Sequence, residues 1–405
     1  MVAQDFPWPV TIGSHLRLAQ VIEVALGLGQ TDVFALVPAR RTEPCLVPPD
    51  RAALRLGTVV RPRPRLSASR RARWFVSAGL PLELVQEEPA PLRRAFEAFV
   101  APSYDFVWVS KAATYELLGR PRLGPTAVDL DDLEDAKIRG RLSTLGSDAE
   151  TAASGRGAAV TRWLRTRQAL VNAGRWGRLQ RRVADAVDAV VLCSDLDASR
   201  CGLPHVTVVP NGYDAPARPV GDHEPGHPPT LLLAGNFHYP PNADAAHYLV
   251  TAVLPVLTAR HGPVSVRLVG EAGAAVTALA APPAVTVVGR VPAMEPELAR
   301  ADLVVVPVRY GSGTRVKVLE AAAHRLPVVS TTVGAEGLGF ENGTHLLVAD
   351  DPDDFAAACI RLLTDAPLRA SLVAAAQKAF LDRFQWSAVR GRIEALARHL
   401  AGAGL

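Results

Sequence analysis

From Thr230 onward the chain sets short, continuously apolar runs among amphipathic stretches, and no other feature narrows its fold so far. Strand-like runs fall at Thr230 to Ala234, Val264 to Val269, Val285 to Val288, Leu303 to Val308, Pro327 to Ser330 and Leu346 to Val348. Helical patterns occupy Asn242 to Arg260, Glu295 to Ala301, Val316 to Arg325 and Pro352 to Thr364. A strand that is apolar on both faces needs cover on both, which a parallel sheet clad in crossover helices supplies. The second half therefore reads as a doubly wound α/β domain.

The first half repeats that grammar less regularly, with strand-like runs at Val33 to Val37, Phe106 to Val109, Ala127 to Leu130, Ala189 to Leu192 and Val206 to Val209. At 405 residues the chain exceeds one ordinary core, so two domains are expected. Asn211-Gly212-Tyr213-Asp214 and the stretch rich in Pro, Gly and His that runs on to Pro229 have the composition of a linker. This divides the chain into an N-terminal Rossmann-like domain, 1–212, and a C-terminal one, 213–386, with a hinge near 212–229. An amphipathic helix over 387–402 is expected to pack back on the first domain. The fold class is α/β, with two doubly wound domains facing each other across a cleft.

Hydrophobic residues make up 49% of the chain and the mean hydropathy is +0.14, ample for two cores. No apolar run reaches the roughly 18 residues that a membrane span needs. The opening MVAQDFPWPVTIG lacks the charged and apolar parts of a signal peptide, so a cytoplasmic protein is expected. Cys45, Cys193, Cys201 and Cys359 fit neither a metal knuckle nor a redox pair and read as reduced, mostly buried thiols. A net charge of +4 favours anionic ligands weakly and does not point to nucleic acid. Two segments are rich in arginine, Arg61 to Arg73 and Arg162 to Arg182, with Trp74, Trp163 and Trp176 in or beside them. Proline breaks the first, and Gly174 and Gly177 interrupt the second, so both read as solvated faces. Weak peripheral contact with a membrane, or contact with an acceptor, is the alternative.

The densest chemistry lies in Val304 to Glu320, VVVPVRYGSGTRVKVLE: a strand, a Gly-Ser-Gly-Thr turn, and a helix start carrying two cations and then a carboxylate. A strand that feeds a glycine turn and a helix N-terminus aims free backbone N–H groups and the helix dipole at whatever sits there. Arg315 and Lys317 suit a doubly charged group such as a diphosphate, and Glu320, one turn beyond Lys317, suits sugar hydroxyls. The segment reads as a nucleotide-sugar site, against the alternative of a tight turn with solvated Arg and Lys.

Seven motifs occur in a telling order. They are PTAVDLDDLED (Pro125 to Asp135), VVLCSDLDASRCG (Val190 to Gly202), VVPNGYD (Val208 to Asp214), GNFHYPPNADA (Gly235 to Ala245), VRLVG (Val266 to Gly270), VTVVGRV (Val285 to Val291) and GSGTRVKVLEAAAHRLPVVSTTVGAEGL (Gly311 to Leu338). Together they resemble the retaining GT-B glycosyltransferases of family 4, the glycosyl transferases group 1. That resemblance implies transfer of a hexose from a nucleoside diphosphate donor, a UDP- or GDP-sugar, with retention of anomeric configuration and without a divalent metal or cofactor. Arg315, Lys317 and the helix N-terminus would neutralise the departing diphosphate. The leaving phosphate itself would take the acceptor's proton. The C-terminal domain would hold the donor and the N-terminal domain the acceptor, which the sequence does not name: a small metabolite or natural product, or a glycan or lipid precursor.

The resemblance also distributes roles. Gly13 and Ser14, followed by His15 and Arg17, stand where relatives have a loop facing the donor phosphates. Asn236 and His238 stand at a strand end expected to face ligand, and Arg290 and Val291 where the nucleobase is held. Gly311, Ser312, Gly313, Thr314, Arg315 and Lys317 form the cradle, and Glu320 is the ribose carboxylate. Relatives commonly carry a second glutamate eight residues before it; here that position is Ser312, so Glu336 or backbone amides near Gly313 would replace it. Where relatives often place a histidine this chain has Asp131, which would bond a sugar hydroxyl or accept the acceptor's proton. Asp129, Asp131 and Asp132 suit helix capping equally. His15 alone reads as a surface residue.

Two rival functions remain open at this level. One is a sugar-nucleotide epimerase or phosphorylase on the same fold, although no convergent acid and histidine set or separate phosphate site is evident. The other is a catalytically silent sugar-nucleotide binding protein. The oligomeric state is open as well.

Overall fold

The computed structural model describes residues 1–9, 13–39, 41, 45, 48, 54–61, 74, 79–148, 156–221, 223–311 and 315–403; at 13–14, 143–148, 156–162 and 403 it describes the backbone alone. The chain forms two compact units. The first comprises Met1–Leu142, Asp148–Asn211 and Val389–Leu405, and the second comprises Ser143–Ser147 and Gly212–Ala388.

The first unit holds a seven-stranded parallel sheet in the order β3-β2-β1-β4-β5-β6-β7. Its strands are β1 (Val2–Ala3), β2 (Asp32–Pro38), β3 (Arg55–Arg61), β4 (Val107–Ser110), β5 (Thr126–Asp131), β6 (Ala189–Leu192) and β7 (Val206–Val208). Two of these go beyond the sequence expectation. β1 is only two residues long, too short for any periodicity, yet both residues are buried between β2 and β4. β3 is an edge strand whose residues alternate in exposure, and Gly57 interrupts its apolar pattern because a Cβ there would lie 2.5 Å from the Phe99 ring.

The second unit holds a six-stranded parallel sheet, β10-β9-β8-β11-β12-β13. It is built from β8 (Thr230–Ala234), β9 (Ser265–Val269), β10 (Val285–Gly289), β11 (Leu303–Val306), β12 (Val328–Ser330) and β13 (Leu347–Val348). All four residues of β11 are buried, as its run of Leu and Val demands. The helix expected over Asn242 to Arg260 is in fact two, Pro240–Tyr248 and Leu254–His261, joined by a π-helical turn at Leu249–Val253. Pro255 explains the break: its ring lacks an N–H and would strike the carbonyl four residues back, and the widened turn before it makes room.

The helix Arg156–Ala184 runs without a break through Gly174 and Gly177, contrary to the interruption expected. Packing outweighs the roughly 1 kcal/mol that each glycine costs a helix. Trp74 and Trp176 belong to the interior, not to a solvated patch. The Arg175 guanidinium sits 4.2 Å from the Trp74 ring centroid and donates to the Trp74 carbonyl at 2.6 Å. The rest of the first arginine-rich segment lies outside the described residues beyond Arg61. All four cysteines are free; Cys193 and Cys359 are buried, and Cys45 is exposed. Among the described residues no helix is long and apolar enough to cross a membrane.

Candidate functional site

In an open parallel sheet the crevice for ligands opens at the carboxyl ends of the strands where the winding order reverses. In the second unit that point lies between β8 and β11. β8 ends at Ala234 and leads into Gly235 and Asn236, and β11 leads through Pro307–Tyr310 to Gly311 and the helix Val316–Ala323. The sheet order thus brings Asn236, Gly311, Arg315 and Lys317 to one place. Ser312, Gly313 and Thr314, also expected there, lie outside the described residues.

The local geometry is held by side chains the sequence did not single out. Lys317 Nζ donates to Asn242 Oδ1 at 2.9 Å, and Asn242 Nδ2 donates to the Asn236 carbonyl at 2.9 Å. A Cβ on Gly235 would lie 2.8 Å from Asn242 Nδ2 and 3.2 Å from Lys317 Nζ, so only glycine leaves room for the lysine. Gly311 has φ +127°, and a Cβ there would sit 3.1 Å from the Arg315 guanidinium, which packs across it. Arg309 pairs in bidentate fashion with Asp244, at 2.9 and 2.5 Å, and lies 5.0 Å from the Tyr248 ring centroid. The signals for Asn242 and Arg309 were present, in PPNADA and VPVRYG, but one polar residue in each gave no chemistry by itself.

Burial tunes the charges. It lowers the Lys317 ammonium to about 7, with Arg315 adding to the effect and Glu320 opposing it. It raises the Glu320 carboxyl to about 7, against the hydrogen bond that the Tyr213 hydroxyl donates to Oε1 at 2.9 Å. Burial and Glu320 together push the Tyr213 hydroxyl up. Arg315 is buried at the N-cap, immediately before the helix Val316–Ala323, and contributes the fixed charge. His324, one turn after Glu320, is wholly buried.

Of the other expected donor contacts, His238 follows Asn236 closely, and its amide donates to Asn236 Oδ1 at 2.9 Å. His238 is exposed and faces Glu271 at 3.5 Å. Arg290 and Val291 follow β10, the edge strand. Glu336 closes the short helix Thr332–Ala335 that follows β12.

In the first unit the winding reverses between β1 and β4. Just past β1, Asp5 receives His15 Nε2 at 3.2 Å and Arg41 at 3.1 Å. Burial works against its ionised form, but His15 and the Phe6 amide outweigh it and hold the carboxyl below its usual range. His15 is 4% exposed, which corrects its reading as a surface residue: the Asp5 partner makes burial tolerable. Gly13 and Ser14 begin the helix Gly13–Leu28 that carries His15 and Arg17.

The three aspartates of VDLDDLED divide their work. Asp129 makes a bidentate pair with the buried Arg17, at 2.7 and 3.0 Å. Asp132 pairs with Lys111 at 3.2 Å and with Lys137 at 2.6 Å. Asp131 Oδ1 accepts from Asn211 Nδ2 at 3.0 Å, and its Oδ2 faces Lys111 Nζ at 3.3 Å. Both Lys111 and Asp131 have left-handed backbones, φ +70° and +63°, a strain that tends to collect at functional sites. Burial favours the protonated form of Asp131, but Lys111, Arg17 and Asn211 hold it well below the usual carboxylate range.

The sequence profile of the family "Glycosyl transferases group 1" matches residues 228–365. A phosphatidyl-myo-inositol mannosyltransferase of Mycolicibacterium smegmatis is 29% identical over 211 residues, 49% of this chain and 53% of that protein. The chain thus aligns with about half the length of that relative. The fold matches a sucrose-phosphate synthase from Thermosynechococcus elongatus with a TM-score of 0.69 at 16% identity, over 99% of this chain and 98% of the other. It matches Anabaena HepE, solved with UDP-glucose, with a TM-score of 0.61 at 14% identity, over 98% and 99% of the two chains. These agreements establish the GT-B fold, and residues 228–365 carry the sequence profile of the glycosyl transferases group 1.

Proposed function

We propose that this protein moves a hexose from a UDP- or GDP-sugar to an acceptor nucleophile with retention of configuration. The observation that carries the reading is the cation pair Arg315 and Lys317 at the switch point of the second sheet, with Glu320 one turn further along the same helix. The diphosphate would lie against Arg315, Lys317 and the start of the helix, and the ribose hydroxyls would reach Glu320. Two relatives support a hexose donor: the mannosyltransferase by its name, and HepE by the UDP-glucose it holds.

As the bond between the anomeric carbon and the diphosphate oxygen breaks, Arg315 and protonated Lys317 take up the growing negative charge. A contact of this kind is typically worth about 2.7 to 4 kcal/mol to the transition state. The acceptor's proton passes to the departing phosphate. Asp131 is too firmly held in its ionised form to be an effective base near neutral pH, so we assign it to holding a sugar or acceptor hydroxyl as a hydrogen-bond acceptor. Acceptor recognition falls to the first unit.

A donor panel tests this reading. Release of nucleoside diphosphate that depends on an added acceptor, with a new glycoside among the products, supports transfer. Conversion of the donor without an acceptor indicates epimerisation or hydrolysis. Binding with no turnover across acceptors leaves a silent binding protein.

A further inference from the structure

We propose that the outward face of the helix Arg156–Ala184 docks on the surface of an anionic lipid bilayer. Steps of about 100° per residue put Trp163, Arg167, Leu170, Val171, Arg178 and Arg181 on one side of this helix. Asn172, Trp176, Leu179 and Val183 lie on the other side and are buried. The free side is unusually apolar for a surface: Trp163 is 55% exposed, Leu164 54%, Leu170 45% and Val171 41%. They are four of only eight large hydrophobic side chains exposed among the described residues. The Arg167 guanidinium lies 4.7 Å from the Trp163 ring centroid, so the indole is braced by a cation and not by the core.

Charge on the same face has one sign. No Asp or Glu occurs from residue 151 to residue 184, a stretch that holds eight arginines. On that face Arg167, Arg178, Arg181 and Arg182 are exposed, and none of them forms an ion pair among the described residues. An anionic bilayer meets both needs at once. The Trp, Leu and Val side chains enter the boundary between headgroups and acyl chains, while the arginines reach lipid phosphates around them. A nucleic acid backbone would satisfy the arginines but leave the leucines and valine in water. From Trp163 to Arg182 the face is about 28 Å long, enough for the helix to lie flat on a membrane.

Flotation with vesicles tests the assignment without passing through nucleotide binding, so its failure leaves the donor reading standing. The expected result is binding to vesicles of phosphatidylcholine with about 30 mol% phosphatidylglycerol and none to phosphatidylcholine alone. Raising salt from about 0.1 to about 1 M, which shortens the screening length from about 10 to about 3 Å, should release much of the protein. Arg178→Gln/Arg181→Gln/Arg182→Gln should lower the partition about fivefold for each arginine removed. Leu164→Ser/Leu170→Ser should lower it too, with circular dichroism melting curves unchanged for both variants. Three results would overturn the proposal: no binding to anionic vesicles, equal binding to neutral ones, or the arginine variant floating like its parent. Capture of duplex DNA that the leucine variant retains in full, while vesicles stay bare, would also do so.

Discussion

The hydroxyl of Tyr213 donates a 2.9 Å hydrogen bond to the carboxylate of Glu320, tying the Asn-Gly-Tyr-Asp segment to the helix that carries the two cradle cations. The carboxylate proposed to hold ribose thus has a side-chain hydrogen-bond donor of its own. Tyr213→Phe should cost about 1 kcal/mol of stability, the usual net worth of such a bond. Since the bond favours ionised Glu320, its loss should also raise the pH at which Glu320 ionises above about 7. Nucleoside affinity measured against pH should then rise at higher pH in the variant than in the parent. An unshifted profile would show that the tyrosine does not act through Glu320.

Lys317 links donor binding to pH. Its ammonium sits at about 7 in the free protein, lowered first by burial and next by Arg315. A bound diphosphate favours the charged form, so binding above pH 7 must take up a proton. Affinity for UDP should fall between pH 7 and 9 by up to about tenfold per unit, and Lys317→Met should flatten that slope. Calorimetry in buffers of different ionisation enthalpy would count the proton directly.

The same lysine weakens the free fold. A base whose pKa is lowered on folding carries a penalty that is full below the folded value, about 7, and fades as pH rises towards the unfolded value, 10.5. Lys317→Met should therefore raise the stability of the ligand-free protein by about 1 to 2 kcal/mol at pH 7. The gain should shrink towards pH 10. Chemical denaturation at the two pH values checks it.

Asp131→Asn keeps a residue type that tolerates φ +63° and removes only the charge. UDP affinity should stay within about twofold, while kcat falls about tenfold or more, equivalent to about 1.4 kcal/mol. Asp131→Val should in addition lose about 1 to 3 kcal/mol of stability, because a branched side chain is strained in that backbone region. Full turnover in the asparagine variant would limit Asp131 to pairing with Lys111 and Asn211.

The second sheet was legible because buried parallel strands write themselves as unbroken Val and Leu runs, as in β11. The first was legible only in its longer strands: β1 is too short to show a period, and β3 is an edge strand with a glycine in its middle. Arg315, Lys317 and Glu320 stood out because strand, turn and helix are consecutive there. Lys111, Asn242 and Arg309 could not, since each meets its partner across a long stretch of chain: Lys111, just past β4, meets Asp131 from 20 residues away, Arg309 meets Asp244 from 65, and Asn242 meets Lys317 from 75. The unbroken helix through Gly174 and Gly177 shows the opposite case, a local signal overruled by the packing of Trp176, Leu179 and Val183.

Calorimetric titration of UDP and GDP into the parent protein and Arg315→Ala bears most directly on the cradle. Loss of a charge-assisted contact of about 1.5 to 3 kcal/mol should weaken the preferred diphosphate by about tenfold to a hundredfold. Affinity unchanged by the substitution would mean that the diphosphate does not bind at Arg315.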